Sequence, residues 1–240
     1  MLIIFYINKV RRRIKSMFLD KHKRELSFYK KLVGKNNLFF DIGANVGDKT
    51  EKFLNVGVRV VSVEPQTECV KILKDKFLNN KNVIIVDKCL GSELKEIKLK
   101  ICSKSNVVST VADHWQQGRC KGEVFDKEEV VQMIRLDDII KEHGVPDYCK
   151  IDVEGYEYEV ISGLSSKIPC LSFEFTSEFF GHAEKCLAKL DKLGFKYFNY
   201  ALDENPDFQL FRWVDIPSLV KDIRWNINRD DKLWGDIYAR

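Results

Sequence analysis

The chain has 240 residues, of which 45% are hydrophobic and 12% aromatic, enough for one well-buried core, so disordered and fibrous classes are excluded. Its net charge of +4 is uneven, because residues 9–31 carry a local charge of +8 and the remaining residues therefore carry −4. A net acidic body lacks the broad electropositive face that phosphate backbones require. We therefore expect no nucleic-acid partner.

The cysteines and the N-terminal residues indicate in which compartment of the cell the protein is expected. The seven cysteines are scattered and form no Cys or Cys/His cluster with metal-ligand spacing, which predicts reduced thiols and no metal site. The apolar run 2–7 is far shorter than the roughly 20 residues that span a bilayer. Arginines follow this run instead of preceding it, unlike in a secretory signal. The sequence thus favours a cytoplasmic protein.

Residues 1–35 are interpreted as a basic amphipathic helical extension and residues 36–240 as the main domain. Apolar residues in the extension recur mostly at three- and four-residue steps among basic ones, as on an amphipathic helix. One interpretation is a helix packed on the edge of the domain. The other is peripheral contact with an anionic membrane or partner through residues 2–33.

After Gly34, short β-rich apolar runs alternate with helical patterns. This alternation predicts a βαβαβ start with buried parallel strands. The predicted elements are strand Leu38–Ile42, helix Asp48–Leu54, strand Val58–Val63, helix Thr67–Leu78 and strand Val83–Val86.

Two alternating runs, Leu94–Ile101 and Val130–Leu136, predict a hairpin with a long polar excursion, which is a candidate substrate lid. The chain then continues with further strands and helices and ends in two strands without a helix between them. The expected fold is α/β, a doubly wound, mostly parallel sheet closed by an antiparallel hairpin. The later elements are strand Tyr148–Ile151, helix Tyr156–Gly163, strand Cys170–Phe175, helix His182–Leu193 and strands Phe195–Tyr200 and Phe208–Trp213.

The segment from Asp41 to Gly47 follows the first predicted strand, at the edge where ligands of such sheets bind. Gly43 and Gly47 would let the backbone turn tightly and approach a ligand. The carboxylate of Asp41 would repel a pyrophosphate, whereas S-adenosylmethionine carries an ammonium, a sulfonium and no phosphate. Charge therefore favours the methyl donor over NAD.

Glu64 ends the second predicted strand, 21 residues after Gly43. This spacing is typical of an acid that receives the two ribose hydroxyls of an adenosine. The alternative is that Glu64 caps the following helix.

The fourth predicted strand leads into another acidic segment, in which alternation sends Lys150 and Asp152 to one side of the sheet. Asp152 and Glu154 then stand at the carboxyl edge, near the loop after the first strand. Ionisable groups at such a place are costly unless they are paired or used. A purely structural network with Lys150 is the alternative for some of them, including Glu157.

Four segments in this order and spacing resemble the successive signatures of the FkbM-type methyltransferases: 41–47, 63–65, 136–139 and 150–157. The resemblance extends over residues 36–240 and includes 109–111, 173–174 and 234–238. It implies a class I methyltransferase fold and O-methylation of natural products or surface-glycan sugars with S-adenosylmethionine. By the same resemblance, Glu64 would hold the ribose, Asp152 would lie near the ammonium or methyl, and the methionine part would be surrounded by Asp41, Gly43, Asn45 and Gly47.

Methyl transfer to a hydroxyl requires in-line alignment and removal of the hydroxyl proton. Alignment contributes about 7 to 11 kcal/mol and a positioned base about 3 to 5 kcal/mol. The candidate bases are Asp152 or Glu154, then Glu174 on the fifth predicted strand, then His114 in the excursion beside Trp115. A solvent-exposed loop histidine is the alternative for His114.

Two other functions are considered. A nicotinamide-dependent oxidoreductase would share Glu64 but should have a third loop glycine and no acid at position 41. A catalytically silent binding protein could keep the fold and dock through its basic N-terminal helix. The acceptor is expected to be a hydroxyl of a sugar, a surface-glycan precursor or another small molecule, and the sequence does not fix the oligomeric state.

Overall fold

The computed structural model describes residues 21–102, 109–112, 121–203, 205 and 207–240. Its strands are β1 (Leu38–Ile42), β2 (Arg59–Val63), β3 (Val83–Val86), β4 (Cys89–Leu90), β5 (Lys95–Ile101), β6 (Lys127–Ile134), β7 (Tyr148–Ile151), β8 (Leu171–Thr176), β9 (Phe198–Leu202) and β10 (Trp234–Ala239). Its helices are α1 (21–30), α2 (Asp48–Leu54), α3 (Thr67–Lys76), α4 (Leu136–His143), α5 (Glu157–Ser162), α6 (Phe180–Lys192) and α7 (Ile216–Ile227), with a 3-10 turn at Ser177–Phe179.

The main sheet has seven strands in the order β3-β2-β1-β7-β8-β10-β9. The neighbouring pairs from β3 to β8 are parallel, whereas β10 is antiparallel to both β8 and β9. The carboxyl ends of β1, β2 and β7 therefore meet at one edge of the sheet. A smaller sheet of order β4-β6-β5 contains the predicted hairpin, since β5 and β6 pair antiparallel. The expected doubly wound, mostly parallel sheet is confirmed.

Helices cover both faces of the main sheet, because alternate strand residues point to opposite sides. One face buries Phe40, Ile151 and Phe173 in a core that includes residues of α5, α6 and α7. The other face buries Phe39 and Tyr148 against α1 and α2. The sheet therefore has two apolar layers, and the polar residues gather at its carboxyl edge.

Helix α1 packs on the second face through its apolar side. Phe28 and Tyr29 are 5% and 4% exposed, and their rings contact Phe53, Phe208 and Tyr238 edge to face. The described part of the basic extension is therefore packed against the core. The division at residue 35 stays a prediction.

The C-terminal part differs from the sequence expectation. The predicted strand Phe208–Trp213 is wrong, because this segment consists of bends and only Val214 bridges to Phe198. Helix α7 follows and was not expected, and it separates β9 from β10. The expected C-terminal antiparallel strand is confirmed as β10, but it does not form a hairpin, because the strand with which it pairs, β9, lies on the other side of α7 in the chain.

Among the helices of the described residues, none combines the length and the apolar character that crossing a bilayer requires.

Candidate active site

A cavity of about 350 Å³ lies at the carboxyl edge of the main sheet, large enough for a small ligand. Three loops line it: those that follow β1, β2 and β7. Residues 109–111 of the excursion also line it, so part of the predicted lid lies against the cavity. The structure thus places a pocket where the sheet topology predicts one.

The loop after β1 uses its own N–H groups within the protein. Gly43 and Ala44 donate to the carbonyl of Val63 at 2.9 and 3.0 Å, and Gly47 donates to Ala44 at 2.8 Å. Asn45 donates to Oε2 of Glu64 at 2.9 Å. These four N–H groups are therefore not available to cradle a pyrophosphate. This adds to the argument from charge against NAD.

The two loop glycines are required by neighbouring parts of the protein. Both have positive φ, 81° at Gly43 and 83° at Gly47. A Cβ on Gly43 would lie 1.8 Å from the carbonyl oxygen of Asp152, and one on Gly47 would lie 2.7 Å from Leu73 and Phe77. Gly43 thus lets the β1 and β7 loops touch, and Gly47 lets α2 start against α3. Gly43 also lines the cavity, and the expected contact of both glycines with the ligand stays a prediction.

Asp41 does not line the cavity and is only 1% exposed. Its Oδ2 accepts a hydrogen bond from Thr50 at 2.6 Å, and the Thr50 hydroxyl lies 2.8 Å from that of Ser62. Burial raises the pKa of Asp41 to about 6, although the bond from Thr50 opposes this shift. The expected contact of Asp41 with the methionine part is therefore corrected: Asp41 holds α2 to the two central strands beneath the loop.

Glu64 lines the cavity and is 7% exposed. Its Oε1 accepts from the N–H of Gln66 at 2.8 Å and its Oε2 from that of Asn45 at 2.9 Å. Burial raises its pKa to about 7 against these two bonds. A carboxylate has about four acceptor sites, so two remain for hydroxyl donors. Glu64 therefore stabilises the turn before α3 and still offers the oxygens that a ribose needs.

Three acids that the sequence predicts as candidate bases meet near the carboxyl ends of β7 and β8. The carboxylates of Asp152, Glu154 and Glu174 each offer an oxygen within 4.8 Å of the others. Asp152 and Glu154 line the main cavity, whereas Glu174 lines a small adjoining one of about 20 Å³. We call these three residues the acid triad.

Glu174 is the innermost member of the acid triad. Its Oε2 is buried and has no hydrogen-bond partner among the described residues. Burial raises its pKa well above the usual value, and the charges of Asp152 and Glu154 raise it further. Burial and the neighbouring charges therefore favour the protonated form of Glu174, beside two acids that line the cavity. The same geometry could hold a cation, so the expected absence of a metal site stays a prediction.

Lys150 balances part of this negative charge. Its Nζ lies 2.8 Å from Oδ1 of Asp236 and 3.2 Å from Oδ2 of Asp152. Burial lowers the pKa of Lys150, but the two acids outweigh burial and hold it well above its usual value. The structure thus contains the structural network that the sequence leaves open as an alternative, and it anchors Asp152.

The loop after β7 is held in an unusual conformation, with Glu154 at φ 52°. The buried carboxylate of Glu157 accepts from the N–H groups of Val153 at 3.2 Å and Gly155 at 3.1 Å. The Thr110 hydroxyl donates to the carbonyl of Glu154 at 2.7 Å. Glu157 and Thr110 therefore position Glu154.

Ser109 and Lys49 also line the cavity, although the sequence did not single them out as functional residues. The Ser109 hydroxyl is buried and has no hydrogen-bond partner among the described residues. Only its place in the excursion next to Thr110 could have pointed to it. His114 and Trp115 lie outside the described residues, so the prediction for them is untested.

The comparisons with known proteins agree with this geometry. A family model described as the methyltransferase FkbM domain matches residues 41–197. No curated protein matches the chain.

The chain is similar to solved structures at low identity. A precorrin-6y C5,15-methyltransferase from Geobacter metallireducens is 13% identical, with 90% of this chain and 86% of that chain covered and a TM-score of 0.45. A fibrillarin from Aeropyrum pernix with bound S-adenosylmethionine is 10% identical, with coverages of 87% and 68% and a TM-score of 0.43. The family match covers more than half of the chain. The chain belongs to the FkbM family and is an S-adenosylmethionine-dependent methyltransferase.

Proposed function

We propose that this methyltransferase transfers the methyl group of S-adenosylmethionine to a hydroxyl of a sugar, a surface-glycan precursor or another small molecule. The observation that carries the proposal is the acid triad, of which Asp152 and Glu154 line the cavity. A hydroxyl must lose its proton as it attacks, whereas a neutral amine can attack with its lone pair. A base beside the cavity is therefore most useful for a hydroxyl acceptor.

The cavity fits the donor by its chemistry. Glu64 has acceptor sites for the ribose hydroxyls, and the Ser109 hydroxyl is buried without a partner among the described residues. Asp152 brings negative charge to the end of the cavity where the donor's ammonium or sulfonium would lie. Bound S-adenosylmethionine supplies an electrophilic methyl group. The loop of Gly43 and Asn45 shapes the wall between these residues.

The members of the acid triad differ in their surroundings and therefore in their roles in proton transfer. The Nζ of Lys150 lies 3.2 Å from Oδ2 of Asp152 and balances part of its charge. Burial and acidic neighbours raise the pKa of Glu174 and so favour its protonated form. Asp152 or Glu154 accepts the hydroxyl proton as the oxygen attacks the methyl group, and Glu174 lies beside them, within 4.8 Å.

The test is turnover with an isotope-labelled methyl donor and matched acceptors, in which a hydroxyl is compared with an amine on the same sugar or glycoside. We expect product only with hydroxyl acceptors, identified as an O-methyl group by NMR. Asp152→Asn should abolish most of the turnover. Glu68→Gln, an exposed acid on α3 outside the cavity, is the control and should not change it.

Two results would contradict the proposal. Methyl transfer to amine acceptors alone would overturn the hydroxyl assignment. Donor binding without turnover on any acceptor would favour the silent binding protein.

We further propose a cytoplasmic protein with reduced cysteines whose peripheral contacts, through residues 2–33, are electrostatic. The described cysteines are buried and form no disulfide with one another. The apolar side of α1 already packs on the core, while Lys23, Arg24, Lys30 and Lys31 are exposed. Cosedimentation with anionic vesicles that disappears at high salt is the expected result, and equal binding to neutral vesicles would contradict it.

A further inference from the structure

We propose that Lys49 binds the carboxylate of the donor's methionine part. The proposal rests on the placement of the donor with its ribose at Glu64, and not on the identity of the acceptor. Lys49 lies in the first turn of α2 and lines the cavity.

The donor needs such a group because the cavity is otherwise unsuited to a carboxylate. Glu64, Asp152 and Glu154 line it and would repel a negative charge. The N–H groups of Gly43, Ala44, Asn45 and Gly47, which could otherwise receive an anion, already have acceptors in the protein. A carboxylate moved from water into this cavity must therefore find a cation.

Lys49 is a cation without a close partner. No hydrogen bond or ion pair joins its ammonium to any side chain in the described parts of the chain. The side chain is half-buried. Burial lowers its pKa, but Tyr29, Asp236 and Asp152 outweigh that effect and raise it, so Lys49 is charged at neutral pH.

The position of Lys49 matches the methionine end of the cavity. Lys49 precedes Thr50, whose hydroxyl donates to Asp41. Asp41 pairs with Lys150 of β7, so Lys49 lies beside the β1 and β7 strands. The charges of Asp152 and Asp236 also act on it. The other lining lysine, Lys88, follows β3. It lies at the opposite end, where Glu64 donates its N–H to Val86 at 3.0 Å. Lys49 is therefore the lining lysine that can reach the amino-acid part when the ribose is at Glu64.

The test compares two ligands by calorimetry. S-adenosylhomocysteine has the carboxylate, and methylthioadenosine lacks the entire amino-acid end. We expect Lys49→Met to weaken binding of S-adenosylhomocysteine by about 10- to 100-fold and to leave binding of methylthioadenosine unchanged. Lys49→Arg, which keeps the charge, should restore most of the loss.

Lys52→Met is the matched control on the same helix. Its ammonium lies 2.8 Å from Glu25 and is remote from the cavity lining, so this variant should bind both ligands normally. Melting temperatures of all variants separate lost binding from lost folding.

The outcomes distinguish the inference from the placement on which it depends. If the wild-type protein fails to bind S-adenosylhomocysteine, or Glu64→Ala does not weaken the binding, the placement of the donor is wrong. If Glu64→Ala weakens the binding and Lys49→Met does not, the role of Lys49 alone is overturned. An effect of Lys49→Met confined to the KM of the acceptor would overturn it as well.

Discussion

The two acidic regions of the site differ in how completely the protein satisfies them. The region around Glu64 is pre-formed by hydrogen bonds within the protein. Both carboxylate oxygens of Glu64 accept backbone N–H groups, and the N–H groups of Gly43 and Ala44 donate to Val63. The acid triad is less completely hydrogen-bonded, because Oε2 of Glu174 has no partner among the described residues. Its loop is also in an unusual conformation, with positive φ at Glu154. A region whose polar groups are already hydrogen-bonded is suited to ligand binding, and a region with an unpaired buried carboxyl oxygen is suited to proton transfer. The predictions below test this difference.

Gly43→Ala should have the largest effect, because it separates the two regions physically. The new Cβ would lie 1.8 Å from the carbonyl oxygen of Asp152, at a backbone φ of 81°. We expect a loss of more than about 4 kcal/mol in unfolding free energy or failure to fold, measured by chemical denaturation. Gly57→Ala is the control, since φ is 88° but no atom lies within 4 Å, and it should cost only about 1 to 2 kcal/mol. Equal losses would contradict the account.

Asp152→Asn tests the chemical region, provided that the protein still binds the donor. We expect kcat to fall about 10²- to 10⁴-fold while affinity for S-adenosylhomocysteine changes far less. Glu174→Gln mimics the protonated acid and should retain more activity than Glu174→Ala. A fall in affinity without a fall in kcat would assign Asp152 to binding instead.

Glu157 should stabilise the chemical region without touching the ligand. Glu157→Ala leaves the N–H groups of Val153 and Gly155 without their acceptor, and we expect a loss of about 1 to 3 kcal/mol in unfolding free energy. Glu157→Gln keeps an acceptor oxygen and should retain most of the stability. If both variants were equally destabilised, the charge of Glu157 and not its two hydrogen bonds would matter.

The smallest expected effect is a pH dependence from Glu64. Its pKa is raised to about 7 by burial, and ribose hydroxyls favour the ionised acid. Affinity for S-adenosylhomocysteine should therefore rise about tenfold from pH 6 to pH 8. In the free protein the raised pKa has the opposite consequence, because stability falls as the pH rises toward 7. Glu64→Gln should remove the dependence of the affinity and should only reduce that of stability, because burial also raises the pKa of Asp41 to about 6 and that of Glu157 to about 7. An unchanged affinity profile in that variant would contradict the prediction.

Sequence reasoning located the site because the acids follow buried strands. Glu64, Asp152 and Glu154 line the cavity as predicted from strand order and spacing. Asp41 does not reach the cavity although it shares a face of the sheet with Glu64 and Asp152. It pairs with Ser62 and Lys150, each two residues before one of those acids, so it lies deeper in the sheet than the carboxyl edge.

The C-terminal elements were harder to predict because a strand-like run of apolar residues directly precedes the start of a helix. The apolar residues from Phe208 to Trp213 imitate a strand. The sequence does carry start signals for α7: Asp215 accepts from the N–H of Ser218 at 3.0 Å, and a proline lies in the first turn. The position of β10 between β8 and β9 depends on long-range pairing, which no local pattern encodes.

The most direct test of the account is calorimetric titration of the wild-type protein and of Glu64→Ala with S-adenosylhomocysteine and, in parallel, with NAD. The account predicts that S-adenosylhomocysteine binds the wild-type protein, that Glu64→Ala weakens this binding by at least about tenfold, and that NAD gives no heat of binding. Binding of NAD without binding of S-adenosylhomocysteine would contradict it.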